Sequence, residues 1–271
     1  MSGQRSTHEI ELRPDSVTKR FRSGDRQRGE REWRALTLLA TYAPGLAPDP
    51  WESDLSAANP TVVMSRLVGM PLRGRSLEGG QIKALAAAVT RMHEAVPPEV
   101  LAEVPLRPGR QDELIAHLHS WFPKARPRVN HEVGRAMDRG MDWLAQSPLE
   151  SAGRPEVPNV FGPGDGNLAN YLWDGDQVQV VDFEDSGLSD RAFELAEITE
   201  HVGSWVEHPL AVEAFLAHFD LTRTESVRLV DCRRLLALVW LFLLASDDAD
   251  NPRNPPGTAE RQASRLLDLL A

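Results

Sequence analysis

Cysteine is nearly absent from this sequence of 271 residues, in which Cys232 is the single thiol. One cysteine excludes a framework of intramolecular disulfides and favours a reducing compartment. A free cysteine is more often a small buried apolar residue than a nucleophile, so we assign Cys232 no catalytic role.

Long apolar runs are also missing. The longest is Leu235–Ala245, which is shorter than the roughly 18–20 residues that a membrane-spanning helix needs. The chain does not open with a charged segment followed by an apolar one, as a secretory signal would. We therefore expect a cytoplasmic protein without a membrane partner.

Basic residues are scarce in the second part of the chain. Residues 161–271 hold 8 Lys+Arg against 20 Asp+Glu, whereas residues 1–160 hold 22 against 20. The acidic half would repel a phosphate backbone, and the basic N-terminal stretch lacks interleaved aromatic residues, so nucleic acid is not expected as a partner. The acidic half would suit a cationic small molecule or a divalent metal, or it is ordinary solvated surface.

Two short strand patterns open the chain, Thr7–Leu12 and Ser16–Arg22, and a turn separates them. Because alternate residues of a strand share a face, Lys19 lies on the face that carries Val17 and Phe21. A helical pattern from Glu30 to Tyr42 follows Gly29, and 44–60 reads as a loop. A lysine on a buried strand face calls for an anion.

The remaining pattern divides the chain into unequal parts. Residues 1–64 form a small β-rich lobe, the Gly- and Pro-containing stretch 65–76 a linker, and residues 77–271 a larger, mainly helical lobe with one inserted hairpin. This is an α+β architecture. Ligands commonly bind in the cleft between two such units.

Three polar residues flank the hairpin that is predicted within the segment Phe161–Ala196. Asp165 and Asn170 precede it, and Asp182 follows its second strand. Since a hairpin brings its two ends together, we expect these side chains to converge. Two carboxylates and an amide oxygen suit Mg²⁺ with a phosphate ligand, and one carboxylate could accept a hydroxyl proton, as phosphoryl transfer requires. The alternative is that Asp165 and Asn170 only cap turns.

The same segment resembles the catalytic core of the aminoglycoside phosphotransferase and choline kinase superfamily, whose members are small-molecule relatives of protein kinases. The matching elements are Pro163-Gly164-Asp165 with Asn170, Val181-Asp182-Phe183, Gly187, Asp190, Glu194-Leu195-Ala196 and the upstream Arg91-Met92-His93. The resemblance implies a protein-kinase-like two-lobed fold. It also implies transfer of the γ-phosphate of ATP or GTP, with Mg²⁺, to a hydroxyl of a small molecule, for which an aminoglycoside or another antibiotic is one candidate.

The resemblance also implies roles for individual residues. Asp165 would orient the acceptor hydroxyl and take its proton, while Asn170 and Asp182 would hold the metal. Lys19 would hold the non-transferred phosphates, paired with Glu32 or with its competitor Glu30. The inter-lobe segment Val63–Leu67, with Met64 and Arg66, would contact the nucleotide base.

Two departures from the family pattern favour an alternative function. Pro163 replaces the histidine of the family's loop, and only about six residues precede the first predicted strand, where a loop over the phosphates would lie. The alternative is a catalytically inactive, kinase-like protein that binds a nucleotide or another ligand. The retained metal-binding set opposes it.

Overall fold

The computed structural model describes residues 8–151, 157–247 and 252–271. The N-terminal part contains a four-stranded sheet and one long helix. Its elements in chain order are β1 (Glu9–Leu12), β2 (Ser16–Arg20), α1 (Arg26–Tyr42), β3 (Pro50–Asp54) and β4 (Thr61–Ser65).

The small sheet is antiparallel throughout, with the strand order β1-β2-β4-β3. Lys19 pairs with Ile10 on one side and with Val62 on the other. Directly paired residues lie on the same face of a sheet, so these three side chains share a face. Helix α1 packs against the sheet through fully buried residues that include Leu36 and Leu39. The sheet and α1 together hold Lys19 in a fixed position.

Helix α1 begins at Arg26, so the predicted start after Gly29 is wrong. Gly29 lies inside the helix and is buried there. A Cβ at this position would lie 3.3 Å from side-chain atoms of Leu55 and Phe21. Gly29 is thus a position of close packing rather than a helix boundary, a distinction that a single sequence does not reveal.

Strand β3 falls in the stretch that the sequence predicts as a loop. It lies at the edge of the sheet and pairs with β4, with a shift of register between Pro50 and Glu52. Its residues are exposed or half-buried and show no apolar alternation. An edge strand without a buried face carries no period-2 signal, which is why the pattern failed to predict it.

The rest of the chain is mainly helical. Its elements in chain order are β5 (Met70–Pro71), α2 (Gly79–Ala95), α3 (Pro98–Leu101), α4 (Gln111–Ala125), α5 (His131–Gln146), α6 (Pro148–Ser151), β6 (Asn159–Gly162), β7 (Tyr171–Trp173), β8 (Val178–Val180), β9 (Gly187–Asp190), α7 (Arg191–Glu200), α8 (Val212–Leu216), α9 (Arg223–Ala245) and α10 (Thr258–Leu270). Strands β7 and β8 form the predicted hairpin. The fold is therefore the two-lobed α+β architecture that the sequence predicts.

Two short strand pairs that the sequence did not predict frame the hairpin. Strand β5, from the predicted linker, pairs with β7, and β6 pairs with β9. The first pair ties the linker to the hairpin. The second brings the residues before the hairpin next to those after it.

The main core extends across both parts of the molecule. It includes Leu36 and Leu39 of α1, Leu85 and Met92 of α2, and Phe183 beside the hairpin. The apolar run Leu235–Ala245 is the C-terminal half of α9, and most of its residues are buried. Across the described ranges, no helix has the length and apolar character that crossing a membrane requires.

Candidate active site

Asp165 lies in a tight loop directly after β6. Its Oδ1 accepts a hydrogen bond from the Asn167 backbone N–H at 2.9 Å, and its Oδ2 accepts one from Asn170 Nδ2 at 3.0 Å. The carboxylate therefore caps its own turn, as the alternative interpretation had it. Its side chain is 36% exposed, so part of the carboxylate is open to solvent. Capping fixes the direction in which the carboxylate points.

The open end of the hairpin brings Asn170 and Asp182 together. Tyr171 pairs with Val180, and the Val181 N–H donates to the Asn170 carbonyl at 2.9 Å. Asp182 is the next residue, as the sequence argument requires. Its φ of 71° is the single positive value for a non-glycine residue in the described chain. Such a conformation costs about 1–3 kcal/mol and is typical of functional sites.

The Lys19 ammonium lies among three carboxylates. Its Nζ is 2.5 Å from Asp182 Oδ1, 2.7 Å from Glu184 Oε2 and 3.1 Å from Glu32 Oε2. Burial alone would lower the pKa of Lys19, but the three carboxylates outweigh burial and raise it. Lys19 is therefore a permanent cation at the point where the two parts of the molecule meet.

Glu32 joins helix α1 to the segment after the hairpin. Its Oε2 accepts from Lys19 Nζ and also from the Phe183 backbone N–H at 2.9 Å. Burial raises the pKa of this carboxyl group, while the Lys19 cation opposes the increase. Of the two glutamates that the sequence left open, Glu32 contacts Lys19, and Glu30 has no such contact in the structure.

Glu184 belongs to this cluster, although the sequence analysis gave it no role. It forms an ion pair with Lys19 at 2.7 Å, lies 2.8 Å from His8 Nε2 and pairs with Arg28 Nη1 at 3.0 Å. Its position two residues after Asp182 was the available signal. Carboxylate oxygens of Glu32, Asp182 and Glu184 lie within 4.8 Å of one another. The Lys19 ammonium lies among these three carboxylates and forms an ion pair with each of them.

A buried arginine supports the Asp165 loop from behind. Arg107 donates from Nη2 to the Gly164 carbonyl at 2.8 Å, and it pairs with Glu194 at 2.7 Å and with Glu197 at 3.0 Å. Burial raises the pKa of Glu197 to about 7, against the effect of Arg107. Arg107 could not be identified from the sequence, since it precedes Gly164 by 57 residues and belongs to no motif.

Gly164 is required where the loops before and after the hairpin touch. It has a φ of +84°, and a side chain there would collide with the backbone carbonyl of Asp185. Any residue with a Cβ would push the two loops apart. The contact places the residues on either side of the hairpin at a fixed spacing.

His201 is a third site residue that could not be identified from the sequence. It follows α7 directly and is buried, and its Nε2 lies 3.5 Å from Asp165 Oδ1. The two residues are 36 positions apart in the chain, so sequence separation hides this contact as well.

The two predicted hinge residues, Met64 and Arg66, have different surroundings in the structure. Met64 is 5% exposed and packs in the core. The Arg66 N–H donates to the Asp15 carbonyl at 2.9 Å, and its guanidinium donates to the Arg13 carbonyl at 3.0 Å. These donors are used within the small lobe, so the structure lends no support to the predicted contact between Arg66 and a nucleotide.

Several acidic residues of the C-terminal half are paired with arginines. The pairs are Asp185 with Arg28, Glu197 with Arg107, Glu200 with Arg233 and Arg265, and Asp247 with Arg253. Asp248 and Asp250 of the same acidic half lie outside the described residues. The negative charge available to a ligand is thus smaller than the formal charge of this half.

This site lies within a stretch of the chain that matches a known protein family. The model of the phosphotransferase enzyme family matches residues 6–230. The chain belongs to this family. The matched range contains Lys19, Glu32, Asp165, Asn170 and Asp182, and the family is one of small-molecule kinases. No curated protein matches the chain at a significant level.

Solved structures of this family share the fold across nearly the whole chain. Choline kinase LicA from Streptococcus pneumoniae is 16% identical, with a TM-score of 0.64 over 100% of this chain and 91% of its own. The GDP complex of wild-type aminoglycoside 2'-phosphotransferase-IIIa is 16% identical, with a TM-score of 0.66 over 99% and 89%. A choline/ethanolamine kinase family protein from Mesorhizobium loti is 18% identical, with a TM-score of 0.62 over 97% and 85%.

Proposed function

We propose that this phosphotransferase moves the γ-phosphate of ATP or GTP to a hydroxyl of a small molecule in the cleft between lobe 1–64 and lobe 77–271, which the linker 65–76 joins. The observation that carries the proposal is that Lys19 contacts Asp182 at the open end of the hairpin, where Asn170 accepts from the Val181 N–H and donates to Asp165. A cation for phosphates, a carboxylate for a metal and a separate carboxylate for a proton are the parts that phosphoryl transfer uses.

The nucleotide would bind beneath the face of the small sheet that carries Lys19. Leu12 pairs with Val17 and Ile10 pairs with Lys19, so Ile10 and Leu12 lie on that face. They are 47% and 61% exposed, which is unusual for large apolar side chains. A purine ring would cover this apolar strip, with its phosphates directed to Lys19. The structure of a relative with GDP supports GTP as well as ATP as the donor to test.

The residues at the open end of the hairpin fit a magnesium ion. Asp182 is 42% exposed in its side chain and uses Oδ1 for Lys19. Within the described part of the chain, neither its Oδ2 nor the Asn170 Oδ1 has a hydrogen-bond partner, so both oxygens are available. Magnesium prefers such hard oxygen ligands and keeps water and phosphate in the rest of its shell. A bound ion would supply neutralisation of phosphate charge.

Asp165 would act on the acceptor. Its two oxygens are oriented by Asn167 and Asn170, and its charge is not paired with an arginine or a lysine of the described chain. A carboxylate held in this way can align a hydroxyl and accept its proton as the new bond to phosphorus forms. The acceptor oxygen takes the phosphoryl group, and the nucleoside diphosphate leaves.

Structural relatives include choline kinases and aminoglycoside phosphotransferases, whose acceptors are cations. We therefore propose a cationic acceptor as the first class to test, and antibiotic modification as one possible outcome. The pairing of the nearby acids with arginines makes neutral hydroxyl compounds the necessary comparison.

The first experiment is a thermal-shift measurement with ATP and GTP, each with and without Mg²⁺. We compare wild type with Asp182→Asn, and with Asp176→Asn as a matched control at an exposed position of the hairpin turn. A ligand at 100 times its Kd stabilises a protein by about 2.7 kcal/mol. We expect a Mg²⁺-dependent shift in wild type and in the control that Asp182→Asn loses.

A phosphate-transfer assay then follows with kanamycin, choline and a neutral sugar. Transfer to any acceptor that requires Asp165 supports the proposal. Nucleotide binding without transfer to any acceptor and without hydrolysis would instead support the inactive, ligand-binding alternative. An Asp182→Asn variant that binds Mg²⁺–nucleotide like wild type would refute the metal assignment.

A further inference from the structure

We propose that His201 is a positioning residue for Asp165: its Nε2–H group orients the carboxylate that receives the acceptor hydroxyl. This inference rests on the proposed function. The contact that motivates it is the distance of 3.5 Å between His201 Nε2 and Asp165 Oδ1. Among the described residues, no other basic side chain lies within ion-pair distance of Asp165.

The tautomer of His201 follows from its other nitrogen. Nδ1 accepts a hydrogen bond from the Gly203 backbone N–H at 2.9 Å. A nitrogen that accepts carries no proton, so the neutral ring carries its proton on Nε2. Burial lowers the pKa of His201 to about 4, so the ring is neutral near pH 7. The nitrogen that faces Asp165 is therefore a donor and cannot itself take a proton from the acceptor.

The ring is held in place from two further directions. It lies edge-on to Trp240 of helix α9, with ring centroids 4.6 Å apart and an interplanar angle of 77°. The backbone N–H of His201 donates to the Glu197 carbonyl at 3.0 Å, which continues the last turn of α7. A side chain fixed by a backbone donor, an aromatic neighbour and burial has little rotational freedom. This rigidity suits a group that sets the direction of another.

The set of donors around Asp165 gives His201 a specific task. Oδ2 is oriented by Asn170, and Oδ1 is oriented by the Asn167 N–H within its own loop. His201 is the side chain that reaches Oδ1 from another element. Hydrogen bonds at catalytic groups commonly shorten when substrate binds, so a distance of 3.5 Å fits a contact that closes during reaction.

Two substitutions at His201 separate positioning from a structural role. The Oδ1 of Asn lies as many bonds from Cα as Nδ1 of histidine, so His201→Asn can still accept from Gly203 but does not reach Asp165. The Nε2 of Gln corresponds to Nε2 of histidine, so His201→Gln can donate to Asp165 but loses the Gly203 contact. The two variants therefore remove opposite ends of the same side chain.

The experiment measures kcat and KM for Mg²⁺–ATP and Mg²⁺–GTP hydrolysis, with water as the acceptor, together with thermal stability. His208→Asn, at an exposed position of the following loop, is the matched control. We expect kcat of His201→Asn to fall about 10-fold or more with an unchanged nucleotide KM, since small misalignments of a reacting group are costly. We expect His201→Gln to keep kcat within about three-fold of wild type.

Equal losses of kcat in the Asn and Gln variants, or wild-type kcat in His201→Asn, would overturn the positioning role while leaving the proposed function intact. Failure of wild type both to hydrolyse either nucleotide and to phosphorylate any of the three acceptors would remove the reaction and both proposals with it. If an acceptor is phosphorylated without hydrolysis, the same kinetic comparison is made with that acceptor. NMR of ¹⁵N-labelled histidine gives a readout that does not depend on activity. We expect the His201 signal, assigned by its loss in His201→Asn, to show the Nε2–H tautomer, and the Nδ1–H tautomer would contradict the inference.

Discussion

The two ends of the proposed reaction site are built from different kinds of interaction. At the Lys19 end, a buried cation is surrounded by Glu32, Asp182 and Glu184, so ion pairs hold these side chains in place. At the Asp165 end, the described donors are two groups of the loop itself and a neutral imidazole. The first arrangement fixes position through strong pairs, and the second fixes direction through dipoles.

The difference follows from the task of each end. A site for phosphates must present positive charge, and a buried positive charge needs anionic partners to be stable. A group that takes a proton must keep its own negative charge available, which a lysine or arginine partner would suppress. The comparison thus explains why the arginine behind the loop contacts the Gly164 carbonyl and two glutamates rather than Asp165.

The largest expected effect comes from the end that is held by dipoles. In Asp165→Asn, the side chain keeps its shape but can no longer accept the acceptor proton. We expect kcat to fall about 10³-fold, within the range for loss of a general base. Mg²⁺–nucleotide affinity should be unchanged, because Lys19 and Asp182 remain. Steady-state kinetics and nucleotide titration measure both quantities, and a loss of affinity equal to the loss of kcat would contradict the division of labour between the two ends.

Lys19→Met tests the end that is held by charge. The substitution preserves length but leaves Glu32 and Glu184 without their shared cation. Removal of one partner from a buried ion pair typically costs about 3 kcal/mol or more, and the partial exposure of Asp182 places this case at the lower end. Urea denaturation measures the loss. Restoration of stability by the double variant Lys19→Met with Glu184→Gln would confirm that unpaired negative charge is the cause.

A buried histidine of helix α2 predicts a dependence of stability on pH. Burial lowers the pKa of His93 in the folded chain to about 4, from an unfolded value of 6.5. Between these values the unfolded chain binds a proton that the folded chain does not, so stability falls as the pH decreases from 6.5 towards 4. The difference reaches about 3 kcal/mol at pH 4.

His93→Leu removes this titration from the buried site. Denaturation of both proteins between pH 7.5 and pH 4 measures the difference in their pH dependence, with pH 7.5 as the reference at which neither folded nor unfolded His93 is protonated. Wild type should lose more stability than the variant over this range. Parallel profiles would show that His93 is protonated in the folded chain.

The smallest effect is expected at the rim of the charged end. Arg28 is 36% exposed and pairs with Glu184 at 3.0 Å. Solvent screens such a pair, and Lys19 still neutralises Glu184 in its absence, so Arg28→Ala should cost less than about 1 kcal/mol. The loss should shrink further in high salt, which denaturation at two ionic strengths would reveal. A loss as large as that of Lys19→Met would mean that Glu184 depends on Arg28 rather than on Lys19.

The residues that could be predicted from sequence are those that local structure brings together. Asn170 and Asp182 meet because a short hairpin joins them, and the hairpin carries an Asp-Gly turn signal. Lys19 could be assigned to a face because strand periodicity determines it. The family motif supplied the rest of that set. The α+β fold, with a small sheet and a larger helical part, followed from composition and periodicity.

Arg107 and His201 could not be predicted, because their contacts with the Asp165 loop depend on how distant elements pack. Gly29 was misread for a related reason: its close packing inside α1 is set by Leu55 and Phe21 across the small lobe. Strand β3 has no buried face and so leaves no pattern. In each case the missing information lies in tertiary contacts rather than in local sequence.

The contact of Gly164 with the Asp185 backbone has a consequence for motion. It locks the segments before and after the hairpin into one block, so the spacing between Asp165 and Asp182 is set by backbone against backbone. Lys19 is joined to that block by ion pairs, and Glu32 by a single hydrogen bond to its backbone. If the small sheet shifts relative to the helices, the distance from Lys19 to Asp165 should change. The distance between Asp165 and Asp182 should stay the same.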